Sequence, residues 1–230
     1  RGDIPQDVIV DFKKTGLMHT VALSGFNIVI VIAFIGSLVS SLPRRVALTA
    51  SGVSVVLFVL FVGPSSSVVR AAIMGCLALI GKFFPRPVRT LRVLFIAGYI
   101  MALSDPFIVF YDIGFQLSFT ATAGLVLLSS RIEKYLTHVP EWGGIRSCLA
   151  ATLSAQIATM PITLFYFGGF SIIAPLVNVA VLPAMPLLMA GSALAVVFGK
   201  IAAAPTYLLF RLIIWIIHLG ASVPFAYFEF

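Results

Sequence analysis

Apolar residues in this chain gather into long uninterrupted runs separated by short polar breaks. A helix that is apolar on every side has no face for water, so runs of this length predict membrane spans rather than surface helices. The opening stretch, Arg1 to Thr15, differs: Val8, Ile9 and Phe12 form an apolar stripe among Asp3, Asp7, Asp11, Lys13 and Lys14, which predicts a short interfacial helix. The first long run extends from Leu17 to Ser41 and the second from Val46 to Gly63, with Pro43-Arg44-Arg45 between them. A third follows Pro64 and reaches Phe84, a fourth covers Val93 to Ser104, and Asp105-Pro106 ends it. The fifth begins at Phe107 or Asp112 and ends near Ser130, and Arg131 to Arg146 is the one long polar connection. A sixth run, Ser147 to Phe167, is interrupted by Pro161. The next, Ser171 to Phe198, carries Pro175, Pro183 and Pro186, each of which removes a backbone donor and frees a carbonyl. Such groups are tolerated in a bilayer only beside protein or a water-filled cavity, so this run predicts a broken or re-entrant helix. The last run, Ile201 to Val223, precedes an aromatic tail of Phe225, Tyr227, Phe228 and Phe230 suited to a membrane interface.

Composition narrows the class. The 230 residues are 60% hydrophobic and 10% charged, with a mean hydropathy of +1.12, which leaves no charged surface for a soluble domain. A hydrocarbon core of about 30 Å takes roughly 20 apolar residues per helix, so the length allows about seven to eight spans or half-spans. The expected fold is all-α: a polytopic membrane bundle with broken or re-entrant helices, residues 1–16 forming an extracytoplasmic interfacial segment and residues 17–230 one compact transmembrane domain. Arg1 in first position predicts a piece of a longer protein. Cys76 and Cys148 lie in or beside apolar runs without metal-ligand spacing and read as packing residues.

The net charge of +7 matters through its distribution. Arg44 and Arg45 lie between runs one and two, Lys82, Arg86, Arg89 and Arg92 between three and four, Arg131, Lys134 and Arg146 between five and six, and Lys200 between seven and eight; the intervening connections carry no lysine or arginine. The positive-inside rule makes these four basic connections cytoplasmic and places both ends of the chain outside, with Lys13-Lys14 the one discordant feature. The protein is therefore expected to be multi-pass in a cytoplasmic membrane.

Polar groups within the runs mark candidate sites: His19, Ser24, Asn27, Arg70, Asp112, Gln116, Gln156, Asn178 and Arg211. An ionised side chain at the bilayer centre costs on the order of 3 kcal/mol on insertion scales, so Arg70 and Arg211 require a partner, a cavity or water. Arg70 is expected about two turns into the third run, and it and Asp112 are candidates to pair. The depths of these groups converge between the outer surface and the midplane, the pattern of a polar vestibule opening outward. Interhelical bonding is the alternative use of the asparagine, glutamine and serine side chains. Small-residue pairs, Ala71 with Gly75, Gly98 with Ala102 and Gly191 with Ala195, predict close helix contacts.

Enzyme chemistry finds little footing. Ser24 has no base within reach, since His19, five residues earlier, lies on nearly the opposite side of the same helix and nothing ties His218 to it. No histidine pair has metal-ligand spacing and no Walker-type phosphate loop is present. The expectation is a passage rather than an enzyme, with no cofactor.

Four motifs in order carry a family resemblance: Gly16-Leu-Met-His-Thr-Val-Ala-Leu-Ser-Gly-Phe-Asn27; Ser67-Val-Val-Arg-Ala71; Asp105-Pro106 with Asp112-Ile-Gly-Phe-Gln-Leu-Ser-Phe119; and Gln156 with Pro161, Phe167-Gly168 and Asn178. Together they resemble the competence domain of the ComEC family, the inner-membrane channel for single-stranded DNA in natural transformation. Asn27 departs from the pattern, standing where many members carry histidine. The resemblance implies a path lined or contacted by His19, Ser24, Gly25, Asn27, Arg70, Asp112, Gln116, Ser118, Gln156, Pro161 and Asn178, with Arg211 as a further counter-charge to phosphate. Phe26, Phe115 and Phe119 flank the polar motifs as candidate stacking platforms for bases. Implied partners are single-stranded DNA, the lipid bilayer, OB-like and metallo-β-lactamase-like domains elsewhere in the full-length protein, and cytoplasmic DNA-uptake machinery; a homo-oligomer is one assembly left open. The competing class is a secondary transporter with a midplane site for a small solute, which would saturate with that solute rather than accept long polyanions.

Overall fold

A computed structural model describes residues 5–18, 25–39, 41, 43–83, 89–141, 144–223 and 227–229. In chain order these form helices α1 (Gln6–Lys14), α2 (Gly25–Leu38), α3 (Arg44–Val62), α4 (Ser66–Phe83), α5 (Thr90–Ser104), α6 (Ile108–Tyr111), α7 (Ile113–Tyr135) and α8 (Ile145–Phe167). Strand β1 (Gly169–Ser171), helix α9 (Ala174–Val181), a 3₁₀ turn (Leu182–Ala184), α10 (Met185–Phe198), α11 (Lys200–Ala221) and strand β2 (Tyr227–Glu229) follow. Among the described residues, α3, α7, α8, the stretch Ala174–Val196 and α11 are long and apolar enough to cross a membrane, and Asn27–Ser37, Ser66–Gly81 and Thr90–Ser104 are shorter apolar helices. The chain is a multi-pass membrane protein of the all-α class, with one short two-stranded ribbon.

Where one compact bundle was expected, the chain divides into two compact units, residues 19–127 and residues 1–18 with 128–230. In the first, α2, α3 and α4 pack mutually, and α5 packs on α4. The core of this unit is Ile28, Val55, Val68 and Ala71, one or two residues from each of α2, α3 and α4. Gly75 lets α2 approach α4: a Cβ there would lie 2.7 Å from Cδ1 of Ile32. Gly98 does the same on α5, where a Cβ would lie 2.9 Å from Cε1 of Phe119. The small residues read from the sequence therefore do mark close contacts.

In the second unit, α1 lies against α11, α10 packs along α11, and α9 touches both α8 and α11. Phe12, Leu17, Val177, Val181, Ile213 and Ile217 form its core. Gly191 of the third small-residue pair sits under α11, where a Cβ would meet Oγ1 of Thr206 at 2.5 Å. Helix α1 is fixed further by a hydrogen bond between His218 Nδ1 and Asp11 Oδ2 at 2.7 Å, and by Lys13 Nζ 5.5 Å from the centre of the Tyr227 ring. Tyr227 and Phe228 of the aromatic tail are not loose interfacial anchors; they belong to β2, which pairs antiparallel with β1 in the register Phe170–Phe228. Phe225 and Phe230 lie outside the described residues.

The prolines act unequally. Pro161 lies inside α8, which runs unbroken to Phe167, so the expected interruption is absent. Pro183 lies in the 3₁₀ turn and Pro186 in the first turn of α10, yet Leu182, Ala184 and Met185 all keep right-handed helical dihedrals. The run from Ser171 to Phe198 is thus a strand end and then a tightened helix, not a re-entrant loop. The polar connection between α7 and α8 is tied by Arg146, which pairs with Glu141 and donates from Nε to Val139 O and from Nη2 to Thr137 O, both at 3.1 Å.

Gly16 has φ +70°, and a Cβ there would stand 2.9 Å from Cβ of Ala174 and 3.2 Å from Cβ of Ser171. Left-handed backbone costs a non-glycine residue about 1–2 kcal/mol before any clash. Gly16→Ala should therefore lower the thermal midpoint of the detergent-solubilised full-length protein by the equivalent of about 2 kcal/mol or more. Gly36→Ala, in α2 with nothing within 4 Å of the added Cβ, should leave it unchanged or raise it slightly.

Candidate functional site

The polar motifs in the first unit meet where α4 and α7 begin. Asp112 precedes α7 with extended backbone, and its Oδ1 accepts the Phe115 amide at 2.7 Å, the geometry of an N-cap. Gly114 leaves room for that carboxylate, since a Cβ there would stand 3.0 Å from Asp112 Oδ1. The second carboxylate oxygen accepts the hydroxyl of Ser66, first residue of α4, at 2.5 Å. One carboxylate thus sits at the positive ends of two helices that start at the same level. The charge alternation assigned the third and fifth spans the same direction, and this pairing agrees with it.

Preceding residues are organised by the same segment. Asp105 Oδ1 accepts the Phe107 amide at 3.0 Å, turning the chain into α6. Gln116 Nε2 reaches back to the carbonyls of Val109 at 3.2 Å and Phe110 at 2.9 Å, satisfying acceptors at the end of that short helix. Gln116 is therefore a brace for α6.

Arg70 lies one turn into α4 rather than two, because the helix starts at Ser66 and not at Pro64. Its Nε donates to Ser118 Oγ at 2.6 Å, and its Nη1 to Thr122 Oγ1 at 2.8 Å and Met74 Sδ at 3.4 Å. Thr122 passes its own proton to Ser118 O at 2.8 Å. The anticipated pairing with Asp112 is not formed: that carboxylate is engaged by Ser66 and the Phe115 amide. Among the described residues no carboxylate lies within ion-pair distance of Arg70, so neutral hydroxyls hold a full positive charge in a half-buried position. Ser66 and Thr122 carried no motif signal of their own, but their spacing did: Ser66 is one turn before Arg70 and Thr122 one turn after Ser118.

Phe115 and Phe119 are not open stacking platforms. Phe115 is 7% exposed and stacks on Phe119 with ring centres 4.2 Å apart. Phe119 in turn lies against Gly98 and beneath Arg70, whose Cζ is 6.0 Å from the ring centre. Phe26 has no described side chain, and His19 and Ser24 lie outside the described residues. Gly25 opens α2, and Asn27, two residues further, is half-buried with no side-chain hydrogen bond among the described residues.

Gln156, Pro161 and Asn178 belong to the other unit. Gln156 Nε2 donates to Ser171 O, which fixes its amide orientation and leaves Oε1 buried without a donor among the described residues. Asn178, 4% exposed on α9, likewise has a buried Oδ1 without a donor among the described residues. Each such oxygen costs about 1–3 kcal/mol unless water or a ligand supplies the proton. Pro161 is exposed on α8, and Arg211 is exposed on α11. Among the described residues no cluster of three or more histidine, cysteine or acidic side chains is placed to hold a metal.

A family model described as Competence protein matches residues 1–230. The chain is 28% identical over 186 residues to ComE operon protein 3 of Bacillus subtilis (strain 168), an alignment that covers 78% of this chain and 23% of that protein. The chain thus spans about a quarter of the length of the curated relative it matches. No solved structure matches.

Asp112→Ala removes both the cap and the acceptor for Ser66 and should destabilise the full-length protein by about 1–2 kcal/mol, read as a lower thermal midpoint in detergent. Asp112→Asn keeps an amide oxygen for the cap and should lose less. Equal effects of the two would mean that the carboxylate's charge, not its capping bond, carries the contribution.

Proposed function

Because the chain belongs to the Competence protein family, we propose that it is the membrane domain through which a DNA-uptake protein passes single-stranded DNA across the cytoplasmic membrane. The observation that carries this reading is Arg70: a guanidinium inside an apolar helix, one turn from its start, bonded to hydroxyls and thioether and, among the described residues, to no carboxylate. Such a group offers counter-charge to an anion that arrives from outside the protein. A strand entering the bilayer loses part of the hydration of its phosphates, and fixed positive charge compensates that loss. Neutral partners keep Arg70 in place without consuming its charge.

The other polar residues divide the remaining work. Asp112, Gln116 and Ser66 set the frame that presents Arg70, whereas the unsatisfied oxygens of Gln156 and Asn178 suit a hydrated passage in which water supplies donors. Basic connections, including Arg89, Arg92, Arg131, Lys134 and Lys200, would receive the emerging polyanion on the cytoplasmic side. The shorter apolar helices α2, α4 and α5 complete crossings in this reading, giving about eight spans with both ends outside. OB-like and metallo-β-lactamase-like domains of the full-length protein and the cytoplasmic uptake machinery are its expected partners.

Cells carrying Arg70→Leu in the full-length protein should bind labelled DNA at the surface and accumulate none in the cytoplasm, at normal membrane abundance. Arg70→Lys, which keeps the charge and loses the fork, should retain part of the uptake. Normal cytoplasmic uptake by Arg70→Leu would overturn the assignment.

A further inference from the structure

Helix α11 carries a second arginine outside the network around Arg70. Arg211 stands 11 residues after Lys200 and 10 before Ala221, so about 15 Å of helix extends on either side. In a hydrocarbon core of about 30 Å this is the midplane, too deep for the side chain to reach either headgroup layer. Arg211 is exposed, and among the described residues it makes no hydrogen bond or ion pair.

Its neighbours are ordered around the helix. At about 100° per residue, Lys200, Tyr207, Arg211, Trp215 and His218 fall within one arc of roughly 80°. Ile213, Ile217 and Gly220 are buried on the opposite side. Tyr207 is 62% and Trp215 60% exposed. Each lies about 10 Å inside its end of the helix, deeper than aromatic residues that anchor a span in the headgroups. A stripe facing lipid would not carry a charge at its centre, which costs on the order of 3 kcal/mol.

Two occupants fit such a stripe unequally. A second copy of this chain offers no counter-charge at that depth: among the described residues Asp7 and Asp11 lie in the short α1, Asp105, Asp112, Glu133 and Glu141 at helix ends or in connections, and Glu229 in β2. A two-fold contact through the stripe would also bring Arg211 towards its own equivalent. A single nucleic-acid strand supplies what both residue types ask for, phosphate for the guanidinium and bases for the two rings. We infer that the Tyr207–Arg211–Trp215 stripe of α11 is a contact surface for the translocating strand, with a phosphate at Arg211 and bases stacked on Tyr207 and Trp215. The inference rests on the DNA-channel reading above.

The test uses the full-length protein in membrane vesicles with a photo-crosslinking amino acid in place of Tyr207, of Trp215, of Thr122 beside Arg70, or of Phe165, an exposed residue of α8. The probe is a fluorescent single-stranded oligonucleotide. Adducts with the oligonucleotide at positions 207 and 215, and none at 165, are the expected result. Trp215→Ala should lower the adduct at position 207 about tenfold, the factor that corresponds to ~1.4 kcal/mol of lost stacking. An adduct at 122 with none at 207 or 215 overturns the inference and leaves the channel reading standing. Adducts at 207 and 215 with another copy of the protein, or with lipid, overturn it as well. Absence of an oligonucleotide adduct at every position overturns both.

Discussion

Helix α7 has no extensive backbone approach to any neighbour among the described residues, and side chains do the holding. The carboxylate of Asp112 joins the first turn of α7 to the first residue of α4, and one turn deeper Arg70 reaches across to Ser118 and Thr122. Phe119 then closes the gap on the other side by resting on the bare backbone at Gly98. In a bilayer, apolar side chains gain little by leaving lipid for one another, so polar bonds and close steric fit have to specify which helices meet. Asp112 can serve two helices only because it lies at both N-termini, where unpaired amides and the helix dipole favour negative charge. Everything that presents Arg70 follows from that placement.

The membrane character of the chain and the position of nearly every long helix were legible in the sequence, because apolar run length is a direct record of the solvent. The motifs were legible as well, but the roles of their residues were not. Gln116 and Asp112 read as pore groups on the strength of being polar at depth, and the structure adds capping and bracing bonds that their motif did not announce. Backbone groups at a helix end need partners as much as a pore needs lining, and both needs select the same residue types. Gly16 illustrates the point from the other side. It opens the first motif, and its place there is steric, a left-handed residue wedged against Ala174 and Ser171.

Other differences trace to tertiary context. The aromatic tail pairs as a strand because β1 offers it an edge, which no local pattern in residues 227–229 announces. Pro161 fails to break α8 because the missing amide costs one bond in a helix held by many others, whereas Pro183 falls where the helix already tightens to a 3₁₀ turn. Ser66 and Thr122 escaped notice since serine and threonine inside helices usually bond their own preceding turn, as Thr122 itself also does.

The choice of hydroxyls over carboxylate around Arg70 has a kinetic side. A carboxylate partner would form a charge-assisted pair that an incoming phosphate must break outright, at several kcal/mol once both groups are away from water. Serine and threonine hydroxyls only lend lone pairs and can be released one at a time: Thr122 keeps its own bond to Ser118 O as the guanidinium turns to another acceptor, and accepts from it again when that acceptor leaves. The arginine is thereby kept in a state of readiness with shallow wells on either side. In the proposed channel, dwell time at such a point would stay short, which is the property a site needs when its visitor must always move on.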